Sequence, residues 1–109
     1  MEIQIEDWPP YQLVRLGGDV DLHSSPRARE AILDCLKQKM ALLVDLSAVA
    51  YMDSSGVASL VEGYQTAKKH GLEFGLVAVA PSAMKVLKLA RLDKVFPMHA
   101  TLPERRAGV

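Results

Sequence analysis

The sequence predicts an α/β domain: a mostly parallel sheet of four to five strands, edged by an N-terminal antiparallel hairpin and covered by three to four helices. Three observations carry that prediction. Strand-like and helix-like stretches follow one another in the order β-β-α-β-α-β-α-β, the pattern of crossovers between parallel strands. The inner strand candidates, residues 41–46 and 74–79, are short apolar runs, as expected of strands covered on both faces. The helical stretches open on Ser, Asp or Pro and then repeat apolar residues three and four apart, which is how an amphipathic helix begins and packs.

The elements follow in order. Residues 2–6 alternate polar and apolar, and residues 11–16 form a second strand-like run. Pro9 and Pro10 punctuate between them, and Gly17-Gly18 is expected to close the hairpin. Trp8 and Tyr11 flank the prolines and read as edge packing. Ser25 is the expected N-cap of a first helix, with Pro26 at its first helical position. Ala28, Ala31, Ile32, Cys35 and Leu36 form its stripe, and it runs to about Lys39. Cys35 lies on that stripe and reads as core.

A second helix opens at Asp53-Ser54-Ser55-Gly56 with Ser54 as the expected N-cap, and Val57, Leu60, Val61 and Tyr64 as its stripe. Lys68, Lys69 and His70 complement the negative end of its dipole, and Gly71 supplies a left-handed cap. That cluster of cations therefore has a structural explanation. Pro81 starts a third helix whose Met84, Leu87 and Arg91 share one side. Val95-Phe96 is the expected last strand. Thr101 to Glu104 has capping-box spacing, with room for only a turn or two of helix.

Composition sets limits. The 109 residues are 50% hydrophobic and 24% charged, and read as one domain over 1–109. Lys+Arg and Asp+Glu are both 13, so no overall charge draws the chain to nucleic acid or an anionic membrane. One cysteine allows no intramolecular disulfide and no cysteine-based zinc site. The acidic, alternating start lacks the features of a secretory signal, and no apolar run approaches the ~20 residues of a membrane span. A cytoplasmic location is the expectation.

Chemistry is expected at the carboxyl ends of the strands. Two segments converge there: Gly18-Asp19-Val20-Asp21 and Tyr51-Met52-Asp53-Ser54-Ser55-Gly56. A hydroxyl at a helix start accepts one free N–H, and a phosphate there could accept several. Gly56, without a Cβ, would let the backbone approach such a group. Asp53 and Asp21 would make added negative charge felt. The plain alternative is a structural cap. His23, His70 and His99 are scattered, with no metal or hydrolase spacing. Asp19, Asp21 and Asp53 raise the thought of an acidic magnesium pocket, for which Lys94 is the only loose candidate to close the far side.

The run Val44-Asp45-Leu46-Ser47, followed by Tyr51-Met52-Asp53-Ser54-Ser55-Gly56-Val57, resembles the signature of STAS domains. It is most similar to bacterial anti-sigma-factor antagonists of the sporulation and stress-response type. Leu16 to Asp21 resembles that family's strand-end Gly-Glu-Leu-Asp segment, with Asp19 in place of Glu, and residues 90–96 resemble its C-terminal stretch. The resemblance implies the STAS fold, and a binding module in place of an enzyme, with no cofactor and no metal. It implies Ser54 as phosphoacceptor, Asp21 as support for phosphorylation or partner contact, and Asp53, Ser55 and Gly56 as the rest of the site. The implied partners are an anti-sigma factor that is also a serine kinase, and a phosphatase. A second possibility is a cytoplasmic STAS subunit of a lipid-transporting ABC system. Many of those resemble this chain but carry Thr where Ser54 stands.

Overall fold

The structure is a computed structural model and describes residues 1–103. Among the described residues, five strands form one sheet in the order β1-β2-β3-β4-β5. β1 (Glu2–Trp8) pairs antiparallel with β2 (Tyr11–Val20). β3 (Ala41–Met52), β4 (Phe74–Val77) and β5 (Met98–His99) then add in parallel. The hairpin is closed by Pro9-Pro10, joined by a cis peptide, with Trp8 opposite Tyr11. Gly17-Gly18, expected to close it, instead lies within β2. Gly18 sits at φ +77° beside a shift in the β2–β3 register, a backbone state that glycine adopts freely.

Three helices connect the parallel strands: α1 (Ser25–Lys37), α2 (Ser54–Lys69) and α3 (Pro81–Leu89). Each crossover steps to the next strand in the same direction, so the helices share one face of the sheet. Ala28, Ile32 and Leu36 of α1, Val57, Leu60 and Ala67 of α2, and Ala83 and Leu87 of α3 join one core with Val14, Leu16, Leu42, Val44, Leu46, Phe74 and Leu76. Cys35 belongs to the same core, as its place on the stripe suggests, and burial pushes its thiol pKa up. The opposite face carries a smaller cluster of Leu13, Leu43 and Val77. Trp8, Tyr11 and Leu102 pack on it, and the Trp8 indole donates to Pro103 O at 2.8 Å.

Several boundaries differ from expectation. β3 runs six residues past Leu46. Its first half lies between β2 and β4, whereas its second half pairs only with β2. Only Val49 and Met52 are buried beyond Leu46, so the extension carries no continuous apolar run. Val95 and Phe96 are not a strand. Phe96 is buried in a turn against Tyr64 and Phe74, with ring centroids at 5.4 and 6.1 Å, and the last strand is Met98–His99. Arg91 lies outside α3, at φ +59°. Gly71 ends α2 as expected, and Lys39 and Arg91 take the same left-handed state after α1 and α3. Residues 101–103 are not helical. The rest of the expected final helix lies outside the described residues.

Candidate functional site

The carboxyl ends of β2 and β3 meet the start of α2. Asp53 N donates to Val20 O at 3.2 Å, which ties the end of β3 to the end of β2. Asp53, its backbone still extended, is the N-cap of α2. Its Oδ1 accepts from Ser55 N at 2.9 Å and Gly56 N at 3.3 Å. Ser54, expected at the cap, is the first helical residue instead. The reason is chemical. A carboxylate is an equally good cap and carries the charge that the helix start favours. With Asp53 in place, the Ser54 side chain is exposed, and its hydroxyl has no hydrogen-bond partner among the described residues.

Gly56 has a different role from the one its sequence position suggests. It is buried. A Cβ there would stand 2.8 Å from Met52 Cγ, 2.9 Å from Val20 Cγ1 and 3.0 Å from Val20 O. Glycine is therefore needed so that β2 and the first turn of α2 can touch. Ser59, one turn on and buried, lies with its hydroxyl 3.2 Å from both Ser25 O and Ser55 O. Gly63 packs so closely that a Cβ would meet Ile32 Cγ2 at 2.6 Å. These small residues seat α2 tightly on the sheet and on α1 and fix the height at which Ser54 emerges.

Asp21 is committed to the start of α1. Its Oδ1 accepts from Ser24 N and His23 N, both at 3.0 Å, and lies 3.1 Å from Ser24 Oγ. Ser24 Oγ also accepts from Asp21 N at 2.9 Å and lies 2.8 Å from Asp19 O. The N–H of Ser24 above all, together with the Ser24 hydroxyl and the His23 N–H, lowers the Asp21 pKa from its usual value. Ser25, expected as the N-cap of α1, is its first helical residue, and Ser24 takes the cap position. Asp19, Asp21 and Asp53 do not form a metal-holding group among the described residues. The carboxylates of Asp21 and Asp53 both accept from backbone N–H groups.

The sequence singled out Tyr51, Met52 and Asp53 as part of this end but not the α3 residues that face them. Tyr51 and Leu89 are large, apolar and exposed. Together with Met52, Asp53, Ser82, Lys85 and Val86 they line a groove of about 520 Å³ between the end of β3 and α3. Leu89 follows directly on the buried Leu87 stripe, so only the end of α3 after that residue could have signalled its exposure. Asp45 was quoted as part of a motif without a role. It is buried on the face away from the helices, where its carboxylate accepts from Ser47 N at 2.8 Å and Arg15 Nη1 at 3.1 Å. Arg15 also bonds Glu6 at 3.0 Å, which ties β1, β2 and β3 together on the helix-free face.

Chemically, this end of the molecule presents an exposed hydroxyl, and the neighbouring Asp53 carboxylate is turned to the N–H groups of Ser55 and Gly56. An exposed hydroxyl of this kind can receive a group from elsewhere.

The comparisons with known proteins agree with the geometry. The STAS domain model matches residues 2–105, and the chain belongs to the STAS domain family. The anti-sigma-F factor antagonist RsfB of Mycobacterium tuberculosis is 31% identical over 110 residues, covering 98% of this chain and 88% of the relative. The anti-sigma-B factor antagonist of Bacillus subtilis is 26% identical over 87 residues, covering 80% of each. Among solved structures, an anti-sigma factor antagonist from Mycobacterium paratuberculosis superposes with a TM-score of 0.84 at 32% identity, covering 93% of this chain and 86% of that one. No described helix is long and apolar enough to cross a membrane.

Proposed function

We propose that this chain is an anti-sigma factor antagonist: a cytoplasmic binding module, with residues 1–109 acting as one domain, whose partner is an anti-sigma factor. The observation that supports this most directly is the free, exposed Ser54 hydroxyl at the first helical position of α2, capped from behind by Asp53. Its setting within the STAS family adds to that support. The partner would be an anti-sigma factor with serine kinase activity, which transfers a phosphoryl group from ATP to Ser54, and a phosphatase would reset the module.

The geometry supports charge as the switching mechanism. Asp53 already occupies the Ser55 and Gly56 N–H groups, so a phosphate on Ser54 finds fewer free donors than a bare helix start would offer. The added charge of about −1.5 to −2 stands beside a carboxylate and points out of the surface. A partner seated there meets that charge directly. A loss of ten- to hundredfold in affinity needs only about 1.4 to 2.8 kcal/mol.

The test is a titration of each variant against the cognate anti-sigma factor. Ser54→Ala is expected to bind like the unmodified protein and Ser54→Asp at least several-fold more weakly, at matched melting temperature. Equal binding by the two would remove charge as the switch. Failure of the wild-type protein to bind any anti-sigma factor of its source, with capture of an ABC transporter instead, would favour the lipid-transport reading.

A further inference from the structure

Among the described residues, β5 is two residues long and pairs only with Leu76 and Val77 of β4. The start of β4 is therefore an open edge. In a parallel ladder, alternate residues turn to opposite neighbours. Glu73 faces β3, where its carbonyl accepts from Leu42 N at 2.9 Å. Leu76 and Ala78 face β5 and donate to Pro97 O and His99 O, both at 2.9 Å. Phe74, two residues before Leu76, shares that outer side. One more step of the ladder would bring the N–H of residue 97 to Phe74 O and the carbonyl of residue 95 to Phe74 N. Residue 97 is proline and has no N–H. Val95 belongs to the turn before β5, with its own N–H on Leu92 O at 3.0 Å. Neither backbone group of Phe74 has a hydrogen-bond partner among the described residues, although Phe74 is only 4% exposed. Buried backbone groups are almost always paired, so an open pair calls for a partner from outside the chain.

A cavity of about 530 Å³ opens at this edge, a size that holds small molecules. Phe74 and Pro97 line it, with Tyr64 and Leu72 as further apolar walls. Gly75 and His99 line it as well and lie against each other, since a Cβ on Gly75 would stand 3.2 Å from His99 Nε2. The charged groups of the lining are one ammonium, Lys68, and one carboxylate, Glu73, which accepts from the Tyr11 hydroxyl at 3.0 Å. The cavity is far from Ser54. Ser54 opens α2 and Lys68 lies in its last turn, about 20 Å away along the helix axis.

We propose that this cavity binds a small uncharged ring molecule that carries an N–H next to a C=O, as a lactam, a cyclic urea or a pyridone does. Its C=O accepts from Phe74 N and its N–H donates to Phe74 O. Its ring lies against Tyr64, Leu72 and Pro97. The open donor and acceptor on one residue set the polar edge of the ligand, and the apolar walls set its ring. The balance of Lys68 against Glu73 favours a ligand without net charge. A peptide strand fits less well, because a single residue of β4 is open and Leu76 and Ala78 are already paired. Because the cavity lies apart from Ser54, phosphorylation or partner binding there can fail while this site holds, and the reverse.

Titration of the isotope-labelled full chain with 2-pyridone, followed by NMR, tests the proposal. Saturable shifts are expected, centred on the Phe74 amide and the rings of Tyr64 and His99. N-methyl-2-pyridone has lost the donor and should bind about five- to tenfold more weakly, the worth of one hydrogen bond. Pro97→Ala supplies the N–H that the ladder lacks, so it should pair Phe74 O within the chain and weaken 2-pyridone by a similar factor. A melt confirms that the variant is folded, and the N-methyl comparison needs no variant at all. Equal binding of 2-pyridone and its N-methyl form would overturn the proposal. So would shifts centred on Ser54 or on β1, or no saturable shift by 2-pyridone. Tighter binding of benzoate, benzylamine or a blocked tripeptide would overturn the choice of ligand, and indifference of 2-pyridone to Pro97→Ala would overturn the role of Phe74 O.

Discussion

The starts of α1 and α2 are built from the same materials and end in opposite states. Each has an aspartate and two serines at the end of a strand: Asp21, Ser24 and Ser25 before α1, and Asp53, Ser54 and Ser55 before α2. At α1 the aspartate lies three residues before the cap. Its carboxylate and the Ser24 hydroxyl satisfy the loop between them, and Ser25 is buried. At α2 the aspartate is itself the cap, and Ser54 is left over, exposed and unbonded. A serine near a helix start is open to chemistry only when another group has already satisfied the first N–H groups of the helix. In this chain the position of one aspartate decides it.

The largest effect expected from this comparison is at the third residue of each helix. Gly56→Val drives a branched side chain into Val20 and Met52, and should cost about 3 kcal/mol or more, or prevent folding. Arg27→Ala, at the matching position of α1, is exposed and should change stability by less than about 0.5 kcal/mol. Thermal melts of the two check this. Similar effects would mean that the close seat of α2 under β2 is wrong.

The caps come next. Asp53→Ala should cost about 1 kcal/mol, or roughly 4–8 °C in melting temperature for a domain of this size. Ser54→Ala should fall within about 0.5 kcal/mol of the parent. The reverse order would make Ser54 the cap and close the comparison.

The smallest effect is at Asp21. Its folded pKa is depressed below 3.8, so the stability that its bonds contribute is present above that value and is lost as pH falls through the folded pKa. Carbon-detected titration should place the Asp21 carboxyl below 3.8, and Ser24→Ala should raise it. A midpoint that ignores Ser24→Ala would remove the Ser24 contribution to the loop.

Much of this was legible in the sequence, and the exceptions have physical reasons. The element order, the parallel sheet, the core stripes and Gly71 as a cap follow from periodicity and turn chemistry, which are local. The exchange of cap between Ser54 and Asp53 was not legible, because both residues cap well and the choice depends on where β3 ends. That end lies six residues past the apolar run, since β2 pairing alone carries it. Phe96 misled because burial against Tyr64 and Phe74 leaves the same apolar mark as a strand. Gly56 was recognised as part of the site, but its contact with Val20 joins residues 36 apart in sequence, which no local pattern reports. The groove beside α3 depends on exposure, which the stripe of a helix does not fully predict.

The most direct test of the account is the site of modification. The intact protein is incubated with its cognate anti-sigma kinase and ATP, digested, and mapped by mass spectrometry. The free hydroxyl at the start of α2 predicts a single phosphate on Ser54, with Ser24, Ser25 and Ser55 unmodified. A phosphate on Ser24 or Ser25 would contradict the account, because a bonded or a buried serine would then be the reactive one.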